Sequence, residues 1–371
     1  MGAVSPLFFF GTLRHPPLLE AVLGDITHLT LSAAELPGYR VSAAREGPFP
    51  VITVAPGAVT SGLRAEGLRP NDVARLDYYE QAFGYQLCDV TLADGTGARA
   101  YLPRAGVSTP DGPWLLADWV RDWAPLSLRA AREVMGYRDA KTPDEVGVIF
   151  PRIRARAWSQ INAANSRHGA GTLDGQIDIV DRRRVYSEFF ALDEIDLRHR
   201  RFDGDMGPQT TRGVFVVSDA ALVLPYDPQR DRVLLVEQLR VGPLARGDRA
   251  CWQLEPIAGL IDPGETAEHA ARREAEEEAG LTLGALHPVG ETYASPGNST
   301  EFYYTFVGIA DLPDETAGLG GLEAEHEDIR AHLMSFDALM ALCDSGQAAN
   351  TPLVMIAYWL ARHRDRLRSA S

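Results

Sequence analysis

One stretch constrains this chain more than any other: Gly259 to Leu281, GLIDPGETAEHAARREAEEEAGL. Pro263-Gly264 signals a turn and Thr266 is a ready N-cap. Alanine-rich sequence then runs to Gly280, a residue suited to the position just past a helix. The pattern predicts a helix over 267–279. At roughly 100° per residue, Glu277 and Glu278 come three and four positions after Glu274 and share its face. Arg273 lies four before Glu277 and can brace the carboxylates, while Glu276 points elsewhere, into solvent. Folding this helix therefore crowds three like charges. Crowded carboxylates raise one another's pKa, and a cation relieves them.

Hard oxygen donors favour Mg2+ or Mn2+, and Mg2+ usually bridges protein carboxylates to a substrate's phosphates. An EAEEE run by itself is most simply a solvated acidic face. Its context is more particular. Gly259 is followed by five residues, then Glu265, then seven residues. Arg273-Glu274, Ala275, Glu276, Glu277-Glu278, Ala279, Gly280 and Leu281 complete it. That spacing resembles the Nudix box; only Ala275 departs, standing where a larger apolar residue is commoner. The resemblance implies a Nudix hydrolase that works with Mg2+ or Mn2+.

The chain has 371 residues, too many for one ordinary core, so two domains are expected. A hydrophobic content of 45% suits globular folding. A formal charge of −15 argues against nucleic acid or an anionic membrane as partner, although local arginines can still bind a small anion. Cys88, Cys251 and Cys343 are widely spaced and form no ligand or redox pattern, which fits a cytoplasmic location. No run reaches the ~18 apolar residues of a membrane helix. The opening MGAVSPLFFFGTLR lacks a basic n-region and reads as a strand entering a turn, and Pro6 breaks the myristoylation pattern. SRHGAGTLDG at 166–175 is the best linker. The expected domains are 1–167 and 176–371, joined through 168–175.

In the first half, Leu7-Phe8-Phe9-Phe10 is a short apolar strand, and Gly11-Thr12-Leu13-Arg14 turns a corner whose N–H groups can hold a carboxylate or carbonyl. Short strands are expected near 39–41, 51–54 and 60–63, separated by Gly and Pro. A helix near 71–79, Glu80, a strand near 85–92, a turn at Asp94-Gly95 and a strand near 98–102 follow. Residues 114–135 read as helix interrupted at Pro125. Residues 144–163 read as another, broken or kinked at Pro151. Trp114, Trp119 and Trp123 at helical spacing read as core or as a domain contact.

Phe10-Gly11-Thr12-Leu13, together with Leu76-Asp77-Tyr78-Tyr79-Glu80 and Tyr85, resembles the gamma-glutamylcyclotransferase-like (AIG2-like) family of small mixed β-barrels. In that family the turn is aromatic-Gly-Ser-Leu, and Thr12 keeps the hydroxyl. The resemblance implies that Gly11, Thr12 and Leu13 bind an acyl group and that Glu80 is the acid/base. A carboxyl walled by Tyr78, Tyr79, Phe83 and Tyr85 would have the raised pKa a general base needs. The bland reading is a retained barrel in which Glu80 merely ends a helix.

In the second half, antiparallel strands over about 177–237 precede the acidic helix. Strands near 290–293 and 303–309 follow it, then a short helix from Ser335 or Asp337 and a final helix of about 17 residues from Thr351-Pro352. The overall fold class is α+β in two domains, a gamma-glutamylcyclotransferase-like barrel and then a Nudix α/β/α sandwich. EFFALDEIDLRHRRFDG at 188–204, VEQLR at 236–240, YASPGNSTE at 293–301 and EAEHEDI at 323–329 resemble ADP-ribose pyrophosphatases within the Nudix family. Phe189 can stack on an adenine, Arg212 and Arg240 can clamp a pyrophosphate, and Glu301 can accept a ribose hydroxyl.

By resemblance these are substrate contacts, some supplied by the second subunit of a homodimer. Also by resemblance, metal ions sit on Glu274, Glu278, Glu327 and the Ala258 carbonyl. Glu277 completes or braces the cluster, and Glu325 is the general base. His326 is read as no ligand, since the other donors are all oxygens. The expected reaction is Mg2+-dependent hydrolysis of ADP-ribose to AMP and ribose 5-phosphate. Three rivals stand beside it: another nucleoside diphosphate sugar or dinucleotide, a principal cyclotransferase activity at Glu80, and a sensor that binds without turnover. The two-domain combination also resembles proteins associated with tellurite resistance, though no residue reads as a tellurium site.

Overall fold

The computed structural model describes residues 4–104, 106–165, 175–321 and 327–369. The chain divides into two compact units, Met1–Arg167 and His168–Ser371. The predicted linker at 166–175 lies almost wholly outside the described residues.

The first unit runs β1 (Leu7–Phe9), a 3-10 turn (Thr12–Arg14), α1 (Pro16–Leu23), β2 (Thr30–Ala44), β3 (Gly47–Glu66), α2 (Pro70–Gln81), β4 (Tyr85–Thr91), β5 (Gly97–Pro103), α3 (Leu116–Asp122), α4 (Ala124–Gly136) and α5 (Pro143–Asn165). Its sheet has the order β2-β3-β1-β5-β4, antiparallel except where β1 meets β5. Just past β4, Ala93 donates its backbone N–H to Glu35 of β2 at 2.9 Å. The sheet thus curls until its two edges touch through a backbone bond, without a ladder between them.

The short strands expected near 39–41, 51–54 and 60–63 are parts of two long ones. Pairing passes from Pro37 with Val59 to Tyr39 with Val54 across an irregularity. Gly38 and Gly57, both at positive φ, absorb it, so the ladder resumes instead of ending. The interruption expected at Pro125 falls at Trp123, and Pro125 stands in the first turn of the new helix. Pro151 does not break α5, which continues through it. Buried Val146, Ile149, Ile153 and Ala157 lie on both sides of the proline, and their packing holds the helix together across the missing hydrogen bond.

The second unit runs β6 (Ile177–Ser187), β7 (Ala191–His199), β8 (Thr210–Val216), β9 (Ala220–Asp227), β10 (Arg232–Leu239), α6 (Val241–Arg246), β11 (Trp252–Glu255), β12 (Ile257–Leu260), α7 (Ala267–Ala279), β13 (Leu286–Tyr293), β14 (Phe302–Ile309), β15 (Gly318–Gly320), β16 (Ile329–Ser335), α8 (Phe336–Asp344) and α9 (Thr351–Ser369). β6, β7 and β8 form an antiparallel sheet. The larger sheet has the order β13-β14-β9-β10-β16-β15, with β11 beside β10 and β12 beside β9. Every residue of β9 is buried. Leu222, Leu224 and Tyr226 face α8 and α9 through Leu339, Leu353, Ile356 and Leu360. Ala221 and Val223 alternate to the opposite face, where α7 packs on β9 and β12. The acidic helix is therefore pinned against the middle of a two-sided sandwich.

Candidate active site

α7 begins and ends where its sequence dictates. The Thr266 hydroxyl accepts the His269 N–H at 3.2 Å, and Gly280 takes the left-handed conformation at φ 62°. Ala270, Ala271 and Ala275 are buried on the sheet side. Ala275 is the position where a larger residue is commoner; here alanine lets the helix lie close. Glu276 is exposed, as its place on the helix predicts.

Arg273 organises the acids. It donates to Glu274 at 2.6 Å, to Glu277 at 2.9 Å, to both carboxylate oxygens of Glu265 at 3.1 Å, and to the Leu260 carbonyl at 3.1 Å. The brace predicted for Glu277 is therefore the hub of three carboxylates from the helix and the loop before it. Gly259 explains its own place in the spacing: a Cβ there would overlap the Glu274 carboxylate. Gly320 of β15 does the same at the far end of the helix, where a Cβ would meet the Glu278 carbonyl.

Glu278 is buried, and its Oε2 has no hydrogen-bond partner. Burial first, then the charges of Glu274 and Glu327, push its carboxyl up to about 9 against a backbone hydrogen bond from Ala258 and the Arg240 charge. Glu274 is pushed up to about 7 by burial, with Glu277 and Glu327 adding to the shift and Arg273 opposing it. An orphaned buried oxygen among mutually repelling carboxylates is costly unless something positive meets it. Among the described residues, no three His, Cys, Asp or Glu side chains converge into a ready-made metal cluster. The donors nevertheless fit a hard divalent cation, being oxygens drawn from Glu274, Glu278 and Glu327. Glu325, the expected base, lies outside the described residues with Glu323, Ala324 and His326.

Arg240 donates through Nε and Nη2 to Glu255, at 2.9 and 2.6 Å, and its Nη1 takes no part in that pair. Glu255 is buried. Burial first, then Glu301 and Glu255, push the Tyr303 hydroxyl up, with the Arg240 charge opposing, so Tyr303 lies within electrostatic reach of all three. Glu278, Arg240, Glu255, Tyr303 and Glu301 thus form one connected set. Sequence reasoning missed Glu255 and Tyr303; the signal was an acid in the apolar run WQLEPIAGL.

Phe189 sits in the turn between β6 and β7, 55% exposed, edge-on to Phe190 at 4.7 Å. Phe190 leans on Phe215 at 4.9 Å, and the Ser295-to-Glu301 turn binds the Phe215 backbone through Asn298 and Thr300. Arg212 lies on β8, in the small sheet rather than the central one, and donates to its neighbour Thr211.

The first unit holds a separate cavity of about 360 Å³. Gly11, Thr12 and Leu13 line it, as does Glu80 at the end of α2, so the turn and the acid predicted together do meet. Burial pushes the Glu80 carboxyl up to about 8. Tyr79 and Tyr85 face it as protonated hydroxyls, held so by burial first and by Glu80 second. Tyr78, expected in the same wall, does not line the cavity. Two residues apart on a helix is about 200°, which sends its ring to the other side. Trp119, Phe49, Phe150 and Arg154 complete the lining and were not singled out as binding residues from sequence.

Comparison with known proteins agrees with both halves. The NUDIX domain model matches residues 217–354, and the gamma-glutamyl cyclotransferase, AIG2-like, model matches residues 7–120. The ADP-ribose pyrophosphatase of Escherichia coli K12 is 38% identical over 193 residues, 52% of this chain and 91% of that protein. A GDP-mannose pyrophosphatase of Escherichia coli UTI89 is 29% identical over 185 residues, 50% of this chain and 95% of that protein. A solved structure described as an ADP compounds hydrolase covers 52% of this chain and 98% of its own, with 21% identity and a TM-score of 0.40.

Proposed function

We propose, from the premise that this chain belongs to the Nudix hydrolase family, that its second half hydrolyses the diphosphate of ADP-ribose to AMP and ribose 5-phosphate. The observation that carries this is the buried Glu278 oxygen without a partner, set beside Glu274 on a helix face braced by Arg273. The working domains are taken as 1–167 and 176–371, joined through 168–175.

Glu274, Glu278, Glu327 and the Ala258 carbonyl would hold Mg2+ or Mn2+. When bound, such an ion neutralises charge on the diphosphate and lowers the pKa of a coordinated water. The chain's own groups do the rest. Arg240, oriented by Glu255, offers its remaining N–H edge to a phosphate oxygen. Glu301, whose backbone N–H is held by the Ser299 hydroxyl at 3.1 Å, accepts a ribose hydroxyl. Phe189, exposed between β6 and β7, stacks on the base. Glu325 takes the proton of the attacking water, and Arg273 keeps Glu274 and Glu277 in register between turnovers.

Exposed apolar residues along β6 to β8, among them Ile177, Ile179 and Phe215, suit a homodimer in which a second copy adds Arg212 to the site. No helix among the described residues is long and apolar enough to cross a membrane. The three free cysteines accord with a cytoplasmic location. A second nucleotide sugar is favoured by one observation: the only aromatic proposed for the base is an exposed phenylalanine, and such a ring accepts any purine. In the first half, we infer acyl chemistry with Glu80 as acid/base and Gly11, Thr12 and Leu13 holding the carbonyl.

A hydrolysis panel on the full chain, with Mg2+ and product identification, tests the main reading. ADP-ribose should be split to AMP and ribose 5-phosphate, and faster than GDP-mannose. Preference for a GDP-sugar, or no Mg2+-dependent turnover, would reject it.

A further inference from the structure

The cavity of the first unit is built by more of the chain than its family match covers. That match ends at residue 120, yet Leu126, Ser127 and Ala130 of α4, and Phe150 and Arg154 of α5, close one side of the cavity. α4 and α5 are tied to the core by buried Ala130, Ala131, Val134, Ile149 and Ile153, so this wall is part of the fold. Phe150 and Arg154 are one helical turn apart on α5 and therefore present to the same space.

The wall that α4 and α5 add is mostly apolar and aromatic and carries one cation. Phe150 meets Phe83 edge-on at 4.5 Å, and Phe83 meets Tyr79 at 5.1 Å. Trp119 and Leu126 line the same cavity. The charged residues on the lining are Glu46, Glu80 and Arg154. Glu46 is engaged by the Thr109 backbone N–H at 2.9 Å. Glu80 stands where burial keeps a carboxyl protonated. Arg154, whose guanidinium carbon lies 5.9 Å from the Trp123 ring centroid, is the cationic residue that reaches the cavity. A γ-glutamyl group brings an ammonium as well as a carboxylate; the wall that α4 and α5 add supplies a cation for a carboxylate and no acid for an ammonium.

We propose that α4 and α5 make this cavity select an N-acyl compound with one apolar, preferably aromatic, body and one anionic group. Phe83, Phe150 and Trp119 receive the body, and Arg154 receives the anion. The proposal rests on reading the Gly11–Leu13 turn as the holder of the acyl carbonyl. It assigns Arg154 and Phe150 as specificity residues, with no part in bond making.

Isothermal titration of the full chain with four probes tests it: N-acetyl-L-phenylalanine, N-acetylglycine, N-(2-phenylethyl)acetamide and γ-L-glutamylglycine. N-acetyl-L-phenylalanine should bind about tenfold or more tighter than each of the others. Arg154→Gln should remove most of its advantage over N-(2-phenylethyl)acetamide and leave the affinity for that uncharged probe unchanged. Arg154→Lys should restore part of it. Should Arg154→Gln fail to fold by circular dichroism, the ranking on the unaltered chain and the Lys variant still decide. Tighter binding of γ-L-glutamylglycine, no binding of any probe, or equal loss for charged and uncharged probes in Arg154→Gln would overturn the proposal. Hydrolysis of N-acetyl-L-phenylalanine to acetate and L-phenylalanine, followed in the parent and in Glu80→Gln, tests the acid/base reading separately. Absence of that turnover with the predicted ranking intact would fell the acid/base reading and leave the selectivity standing.

Discussion

Glu80 and Glu278 are both glutamates whose carboxyls are pushed far up by burial, to about 8 and about 9. Their surroundings differ. Glu80 stands among aromatic rings and hydroxyls, and burial alone accounts for its shift. Glu278 is also repelled by Glu274 and Glu327, and one of its oxygens has no partner. Burial sets the direction of a pKa, but the neighbours decide what the group is good for. A solitary neutral carboxyl facing a cavity can pass a proton back and forth. A crowded pair gains most from a cation, because relief of repulsion adds to relief of burial.

That contrast is broken most forcefully at Glu278. Glu278→Gln keeps the shape and removes the charge that would hold a metal. ADP-ribose kcat should fall on the order of 10³-fold or more, while probe binding in the first-unit cavity stays unchanged. Equal loss at both sites would mean general unfolding. Steady-state assay beside titration separates the two outcomes. Gly259→Ala acts on the same cluster through volume. Its Cβ would overlap the Glu274 carboxylate, so the acid must move, at a cost of about 1–3 kcal/mol. Thermal unfolding should show the loss, and hydrolysis should fall by less than in Glu278→Gln. Unaltered melting and activity would mean that Glu274 is free to rotate away.

The acidic helix was legible because local rules and spacing agree there. The cap at Thr266, the stop at Gly280, the shared face and the exposed Glu276 are all read from neighbours in sequence. Glu255 and Tyr303 were not legible, since β10–β11 pairing and the placement of β14 beside β9 bring them to Arg240 from distant positions. The long β2–β3 ladder was missed for a related reason. Gly and Pro mark where a strand can stop, and only the partner strand decides whether it does. The cavity's turn and Glu80 were found by resemblance, but its far wall depends on how α4 and α5 fold back.

A pH test sharpens the comparison at Glu80. In the unfolded chain the carboxyl titrates near 4.5, and in the folded one near 8. Between those values the folded state holds the extra proton, so stability falls as pH rises through the window. Glu80→Gln cannot ionise and escapes this loss. The variant should therefore melt closest to the parent at pH 5, gain on it steadily toward pH 8 and level off above that. A gap that does not change with pH would mean that Glu80 is already solvated. If Glu80 is the base for acyl chemistry, the parent's turnover should climb over the same interval as the carboxylate forms.

The smallest effect is expected at Phe189, and it bears on what exposure means at a site. A ring 55% exposed contributes little to folding, so Phe189→Ala should leave stability within about 0.5 kcal/mol. Stacking of an aromatic pair is worth about 0.5–1.5 kcal/mol. The KM for ADP-ribose should therefore rise roughly two- to tenfold, with kcat nearly unchanged, because the contact proposed for the ring is with the base and not the diphosphate. A fall in kcat at constant KM would place Phe189 among the groups that hold the site's shape through Phe190 and Phe215. The same substitution at Phe150, in the cavity wall, should weaken binding of N-acetyl-L-phenylalanine and also lower stability, since that ring packs on Phe83. An exposed ring and an enclosed one can thus be told apart by whether binding and folding respond together.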